Sequence, residues 1–168
     1  LEFGTPRAVN ATNTQFTSIA VLSPTLFIMS YKNLASSDRP TVIALNLTSN
    51  GMDMNKGTAV EVATTGSSWT HITAMSATTA MIVYNNASTS GKAAFMTLSG
   101  TSITVNSTVV FNAANTSGAS VSRLSDTRAI ATYEDVGGSS YGRAATLNVS
   151  GTTVSAGAEA LFDGAAQQ

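Results

Sequence analysis

One pattern of ten residues occurs three times in this chain and constrains the fold more than any other feature of the sequence. Each copy begins with an apolar residue, continues with Ser-x-Thr and a run of apolar and small residues, and ends at a tyrosine. The copies occupy residues 22–31, 75–84 and 124–133, and lie about 50 residues apart. Recurrence at such a period indicates a fold assembled from repeated units of one kind.

Each repeat contains four short runs that are rich in Val, Ile, Thr and aromatic residues and are separated by Gly, Asn and Ser. This composition predicts four β-strands in each repeat, and no stretch combines helical periodicity with helix caps. The second strand is apolar on both faces, since Ala80, Ile82 and Tyr84 alternate with Met81 and Val83. Because such a strand must be covered on both sides, we expect the sheets to stack on one another.

Residues that favour turns recur in the three repeats and predict where the strands end. The Ser-x-Thr step predicts a tight turn between the first and second strands. Gly57, Asn106 and Gly157 occupy equivalent positions and predict a turn or bulge, because Gly and Asn enter the left-handed region readily. The first strands are expected at 18–22, 71–75 and 120–124, and the last strands at 58–62, 108–111 and 158–162.

The start of the chain matches the last strand of a repeat. Gly4 and Gly57 each precede a first strand by 14 residues. The expected spare strand comprises Thr5, Pro6, Arg7, Ala8 and Val9. The predicted organisation is one continuous unit with a spare strand and linker (1–17) and three repeats (18–64, 65–114 and 115–168). Because an unpaired strand templates pairing with another chain, we expect other copies of this chain as partners.

The repeat carries Leu-Ser-x-Thr, the apolar run and the tyrosine, followed in the third copy by Gly-x-Ala and Val-Ser-Gly-Thr-Thr-Val-Ser-x-Gly. This pattern resembles the propeller-blade-like β repeats of large secreted and surface proteins. The resemblance implies an all-β fold of three four-stranded antiparallel repeats of propeller-blade type, with a structural or adhesive role outside the cell. Closed propellers usually have four to eight blades, so three repeats need a further surface from another chain or from residues outside this sequence.

The composition limits the possible partners. Only 10% of the residues are charged and the net charge is -1, so no basic face for nucleic acid is expected. No apolar run is long enough to span a membrane. The chain contains no cysteine, which excludes disulfides and thiolate metal sites. A surface of hydroxyls and amides in place of charges suits an extracellular, glycosylated protein.

Asn-x-Ser/Thr sequences predict N-linked glycans if the chain is secreted. Asn46 and Asn148 are the first candidates, because they occupy equivalent positions in two repeats. The full set of acceptors is Asn46, Asn148, Asn10, Asn86, Asn106 and Asn115. The alternative is an Asn- and Thr-rich surface without sugar.

Few residues suggest chemistry, and each has a structural alternative. His71 is the only histidine and lacks a second ligand or a catalytic partner, so we expect a structural residue at a strand edge. Glu134 and Asp135 suggest either a calcium site completed by loop carbonyls or solvated loop acids. Acids do not recur in pairs, which argues against glycosidase chemistry. We therefore expect no catalytic, cofactor-binding or metal-binding residues.

Recurring tyrosines suggest either core residues whose hydroxyls reach a loop or platforms for sugar. Core positions are expected for Tyr31, Tyr84 and Tyr133, whereas Trp69 fits packing or stacking equally well. The sequence thus predicts a non-enzymatic extracellular repeat protein, structural or adhesive, that self-assembles into a filament or ring through strand pairing and blade stacking. The alternative is a carbohydrate-binding lectin of β-propeller type with sites in the loops after the second strand or between blades. Those loops differ in length and chemistry, which favours the structural role.

Overall fold

A computed structural model describes residues 8–9, 13–48, 53–138 and 140–163. Over these ranges the chain forms thirteen β-strands and two short 3-10 helices. The strands make three antiparallel sheets, and four strands follow one another in chain order across each sheet. The prediction of an all-β fold with four-stranded antiparallel sheets is therefore confirmed.

The first sheet contains β1 (Thr14–Val21), β2 (Leu26–Asn33), β3 (Arg39–Leu47), β4 (Met54–Lys56) and β5 (Val60–Glu61). The middle sheet contains β6 (Thr70–Ser76), β7 (Thr79–Asn85), β8 (Gly91–Ser99) and β9 (Ser102–Asn112). The third sheet contains β10 (Thr116–Ser125), β11 (Arg128–Asp135), β12 (Tyr141–Ser150) and β13 (Thr153–Asp163). Both β4 and β5 pair with β3, so together they act as one interrupted fourth strand. The 3-10 helices, Leu34–Ser36 and Val136–Gly138, follow β2 and β11.

The Ser-x-Thr step forms the predicted turn in all three sheets. The serine Oγ accepts a hydrogen bond from the threonine N–H at 3.4, 3.2 and 3.4 Å in chain order. The threonine C=O then accepts the N–H of a third-strand residue at 2.8 Å in each sheet. The three sets are Ser23, Thr25 and Leu47; Ser76, Thr78 and Leu98; and Ser125, Thr127 and Val149. The hydroxyl satisfies a backbone donor that the turn leaves unpaired, which explains the serine.

The predicted irregularity in the last strand is present in all three sheets. Asn106 and Gly157 lie at register shifts in β9 and β13, and Gly57 lies in the gap between β4 and β5. The physical reason differs from the expected one, because none of these three residues adopts the left-handed conformation. At Gly157 a Cβ would collide with Oγ1 of Thr146, so crowding disfavours a side chain there.

The first and last strands begin earlier than the sequence predicts. Strands β9 and β13 start at Ser102 and Thr153 because the hairpin turns before them are only two residues long. Gly100 and Gly151 adopt φ of 58° and 59° in these turns, a conformation that glycine reaches without steric cost. Strands β1 and β10 gain residues through bulges, since their pairing shifts register between residues 15 and 18 and between 117 and 120.

The sheets stack, and the middle sheet is covered on both faces. Ala80, Ile82 and Tyr84 pack toward the first sheet, whereas Met81 and Val83 pack toward the third. All five side chains are buried, as their alternation predicts. Burial of a Val, Ile or Met side chain stabilises the folded state by about 1.5–3 kcal/mol. Strand β7, which carries these side chains, therefore contributes to both inter-sheet cores.

The expected spare strand is only partly described. Thr5, Pro6 and Arg7 lie outside the described residues. Ala8 and Val9 are described and belong to no strand. The spare strand therefore stays a prediction.

Candidate functional site: the two outward sheet faces

The stack ends in two faces that no further sheet of the described chain covers. The leading face is the side of the first sheet that points away from the middle sheet. It carries Ile19, Val21, Phe27, Met29, Tyr31, Thr41, Ile43 and Leu45. The trailing face is the side of the third sheet that points away from the middle sheet. It carries Ser120, Ser122, Leu124, Ile130, Thr132, Ala144, Thr146 and Asn148.

On the leading face, a position that is core in the other repeats is exposed. Ile19 stands twelve residues before its repeat tyrosine, as do Ile72 and Val121. Ile72 and Val121 are each 2% exposed because a preceding sheet covers them, whereas Ile19 is 59% exposed. Val21, two residues further along the same face, is also an exposed apolar residue. The leading face thus exposes apolar side chains at its β1 end, where the other two sheets have buried or partly covered positions facing a neighbouring sheet or, at Arg123, a charged residue.

The trailing face shows the complementary pattern. Leu22, Met75 and Leu124 open the three copies of the ten-residue pattern. Leu22 and Met75 point toward the sheet that follows, and Leu124 occupies the same position on the trailing face. Leu22 is 8% exposed and Met75 is fully buried, but Leu124 is 58% exposed, since no sheet of the described ranges follows the third one. The same repeat position therefore changes from core to surface at the end of the stack.

A hydrogen bond recurs at both inter-sheet contacts. Ser18 Oγ accepts from the N–H of Ile72 at 3.3 Å, which joins the first sheet to the middle sheet. His71 Nδ1 accepts from the N–H of Val121 at 3.2 Å, which joins the middle sheet to the third. Ser18 and His71 are equivalent in the repeat, and so are the two donors. His71 thus lies in edge strand β6 as a structural residue, as predicted, and burial lowers its pKa.

Part of the leading face is already covered. Tyr31, Ile43 and Leu45 are buried although they point away from the middle sheet. Ala8 and Val9 line a cavity of about 470 Å³ together with Leu45 and Met54–Lys56. The open part of the leading face is therefore its β1 end.

The three repeat tyrosines lie in the core. Tyr31, Tyr84 and Tyr133 are only 1–3% exposed, so their rings do not offer platforms for sugar, and the core prediction is confirmed. Burial raises the pKa of Tyr84 to about 12 and also raises the pKa of Tyr31. The Tyr133 hydroxyl donates to Glu159 Oε1 at 2.7 Å, and burial together with this bond raises its pKa further.

Asp135 is not the solvated loop acid that the sequence suggests. The residue is 5% exposed at the end of β11, where Oδ1 accepts from Asn112 Nδ2 at 3.0 Å. Arg143 Nε lies 2.9 Å from Oδ2, an ion pair whose geometry falls short of a hydrogen bond. Arg143 also donates to Glu159 at 3.2 Å. Two acids thus share one guanidinium, which sequence spacing alone did not indicate.

Trp69 is a packing residue. Its ring is buried between the middle and third sheets, in the same core as Val83 and Tyr133. The indole Nε1 donates to the C=O of Thr116 at 3.1 Å, so its polar atom is satisfied across the inter-sheet contact. The stacking alternative for Trp69 is therefore wrong.

The glycan acceptors fall in different environments. Asn46 points toward the middle sheet, and its Oδ1 is buried without a partner among the described residues. Asn148 lies half-exposed on the trailing face. Asn86 and Asn115 follow strands in loops, and Asn106 lies at the bulge in β9. Asn10 lies outside the described residues.

A polar cleft lies between the loop ends of the first and middle sheets. It measures about 240 Å³, and its lining includes Lys32, Asp38, Ser37, Ser67 and Ser88. Lys32 Nζ lies 3.2 Å from Asp38 Oδ2, so an ion pair faces several hydroxyls. Such a lining presents donors and acceptors at the scale of a small polar molecule.

Within the described ranges, no group of three or more His, Cys, Asp or Glu residues could hold a metal ion. The same part of the chain contains no helix with the length and apolar character needed to cross a membrane. Comparison with known proteins finds no matching family model, no matching curated protein and no matching solved structure.

Proposed function

We propose that this chain is a non-enzymatic structural or adhesive repeat protein that acts outside the cell and self-assembles into a filament or ring. Its sheets act as propeller-type blades in repeats 18–64, 65–114 and 115–168, and an N-terminal spare strand adds a further pairing edge. Stacking of sheets supplies the cohesion, and a surface of hydroxyls and amides faces water.

The observation that carries this proposal is the exposure of core-equivalent residues at both ends of the stack. Ile19 at one end and Leu124 at the other are apolar and exposed, although their equivalents inside the stack (Ile72 and Val121, and Leu22 and Met75) are buried. Val21 adds a second exposed apolar side chain beside Ile19. Contiguous exposed apolar surface on a soluble protein marks interaction sites.

The test compares assembly of the native chain with variants at each end. We expect light scattering of the native chain to give masses above the 17.1 kDa of one copy, and electron microscopy to show rings or filaments. Val21→Asp and Leu124→Asp should each shift the mass toward one copy. Val136→Asp, at an exposed apolar residue outside both faces, is the matched control and should change nothing. A native chain that stays monomeric at high concentration would refute the proposal.

The polar cleft favours a second candidate function, that of a carbohydrate-binding lectin. Its ion pair and serine hydroxyls suit a monosaccharide, and it lies in the loops after the second strands, where a lectin site is expected. Calorimetry with a panel of monosaccharides tests this candidate. Loss of binding in Lys32→Ala, without loss of folding, would support it, and the absence of binding to every sugar would remove it.

Glycosylation is part of the proposal at the acceptors that stay accessible. Asn86 and Asn115 lie in loops, so a glycan there leaves both outward faces free. A glycan on Asn148 would cover the trailing face and end the stack. Mass spectrometry of glycopeptides from native material tests which acceptors carry sugar, and an intact mass equal to 17.1 kDa would exclude all of them.

A further inference from the structure

We propose that copies of this chain stack head to tail, with the β10 end of the trailing face seated on the β1 end of the next copy's leading face. The register is the one the chain already uses between its own sheets. This inference rests on the proposed self-assembly and names its two surfaces and its direction. The partner is a second copy of the same chain.

The trailing face repeats part of the surface by which the first sheet contacts the middle sheet. Four positions of the first sheet point at the middle sheet and have identical residues at equivalent places on the trailing face. These pairs are Ser18 and Ser120, Leu22 and Leu124, Ile28 and Ile130, and Asn46 and Asn148. Ser120 and Leu124, at the β10 end, thus present again the two side chains that Ser18 and Leu22 bring to the internal contact.

The leading face offers the counterpart of that surface. Ile72 of the middle sheet packs in one core with Leu22 of the first sheet. The equivalent of Ile72 on the leading face is Ile19, with Val21 beside it, and both side chains are exposed. In the proposed register, Leu124 of one copy packs on Ile19 and Val21 of the next. The contact between two copies would thus repeat the contact that joins successive sheets within one chain.

A hydrogen bond fixes the register. At each internal contact, the residue thirteen positions before the repeat tyrosine accepts from the backbone N–H twelve positions before the next repeat's tyrosine. The third member of this series joins Ser120 Oγ of one copy to the N–H of Ile19 in the next. The donor belongs to edge strand β1, whose outer edge pairs with no other strand among the described residues.

The same bond favours a head-to-tail contact over a head-to-head one. Two leading faces in contact would bring the Ile19 donors of both copies together and supply no Ser120 acceptor. A two-fold contact of that kind also ends after two copies, whereas a head-to-tail contact repeats to give a ring or a filament.

Cysteine crosslinking tests the register, because the chain contains no cysteine of its own. One chain carries Ser120→Cys and a second, longer tagged chain carries Ile19→Cys. The two are mixed, oxidised and separated by mass. The internal control is Ser18→Cys with Ile72→Cys in one chain, since those residues are joined by the equivalent 3.3 Å bond. The 3.3 Å contact between Ser18 Oγ and the Ile72 nitrogen places the two Cα atoms at most about 7 Å apart, which is the reach of a disulfide.

We expect crosslinked dimers that contain one chain of each kind, in a yield that matches the control. Dimers of the Ile19→Cys chain alone would overturn the head-to-tail register in favour of two leading faces. Assembly that gives neither mixed crosslinked dimers nor dimers of the Ile19→Cys chain would also overturn the register. The proposed function would then remain intact. A chain that stays monomeric by light scattering would refute both the register and the proposed self-assembly.

A milder pair of variants tests the hydrogen bond itself. Ser120→Ala should weaken self-association about fivefold, which corresponds to one ordinary hydrogen bond. Ser122→Ala is the matched control, because the equivalent position in the first sheet is Ala20 and makes no such bond. Equal association constants for the native chain and Ser120→Ala would remove the hydrogen bond from the proposal.

Discussion

Replacement of His71 tests how the middle and third sheets are joined. Its Nδ1 accepts the N–H of Val121 at 3.2 Å, and the equivalent acceptor between the other two sheets is the hydroxyl of Ser18. His71→Ser and His71→Ala both remove the ring, and only the serine leaves an acceptor. The difference between their free energies of unfolding therefore isolates the hydrogen bond. We expect the alanine variant to be less stable than the serine variant by about 1 kcal/mol, since its N–H donor loses its partner.

The same residue makes stability depend on pH. Burial lowers the pKa of His71, so the folded state prefers the neutral ring, whose Nδ1 can accept. Its contribution is complete above the unfolded value of about 6.5 and declines as the pH falls below that value. One proton limits the slope to about 1.4 kcal/mol per pH unit. His71→Ser removes this dependence, because His71 is the only histidine.

Urea unfolding at a fixed low protein concentration, between pH 5 and pH 8, measures both effects. The fixed concentration matters because self-association would add to the apparent stability. Equal stability of the alanine and serine variants would refute the role of the hydrogen bond. An equal loss of stability below pH 6.5 in the native chain and in His71→Ser would refute the assignment of the titration to this ring.

Three further changes probe the core and the buried charges. Tyr84→Ala should cost about 3–5 kcal/mol in urea unfolding, because the ring is buried between two sheets, and a cost below 1 kcal/mol would contradict this. Gly157→Ala should destabilise through its collision with Thr146, and adding Thr146→Ala should restore about 1 kcal/mol in a double-mutant cycle; purely additive effects would exclude the collision. Arg143→Met should cost about 3 kcal/mol in thermal unfolding because it leaves Asp135 buried without its cation, and an unchanged midpoint would show that the ion pair contributes nothing.

Local and repeated features could be predicted from the sequence. The second and third strands, the Ser-x-Thr turns and the bulge at Gly157 each have a signal within a few residues, and threefold recurrence strengthens that signal. The alternation of Ile82 and Met81 also indicated burial on both faces. These features depend on backbone geometry and side-chain period, which a sequence displays directly.

Contacts between distant residues could not be predicted. The carboxylate of Asp135 meets Arg143 and Asn112 only because β11 pairs with β12 and the end of β9 in the middle sheet lies beside them. Nothing in the sequence distinguishes that acid from a solvated one. The glycine requirement at Gly157 likewise comes from Thr146 on the paired strand, so the sequence suggested the bulge for a different reason.

The low charge of the chain bears directly on how its ends behave. Soluble β proteins commonly protect open sheet surfaces and edges with charged side chains. In this chain, charged side chains of both faces lie at or near strand ends. They include Arg128 and Glu134 on the trailing face and Lys56 on the leading face. The middle of the trailing face carries hydroxyl and small side chains, which hydrate readily and yet leave the surface flat. Hydroxyl groups hydrate this face, and no charged side chain at its middle prevents a further sheet from packing on it. Stacking there would therefore bury no unpaired charge.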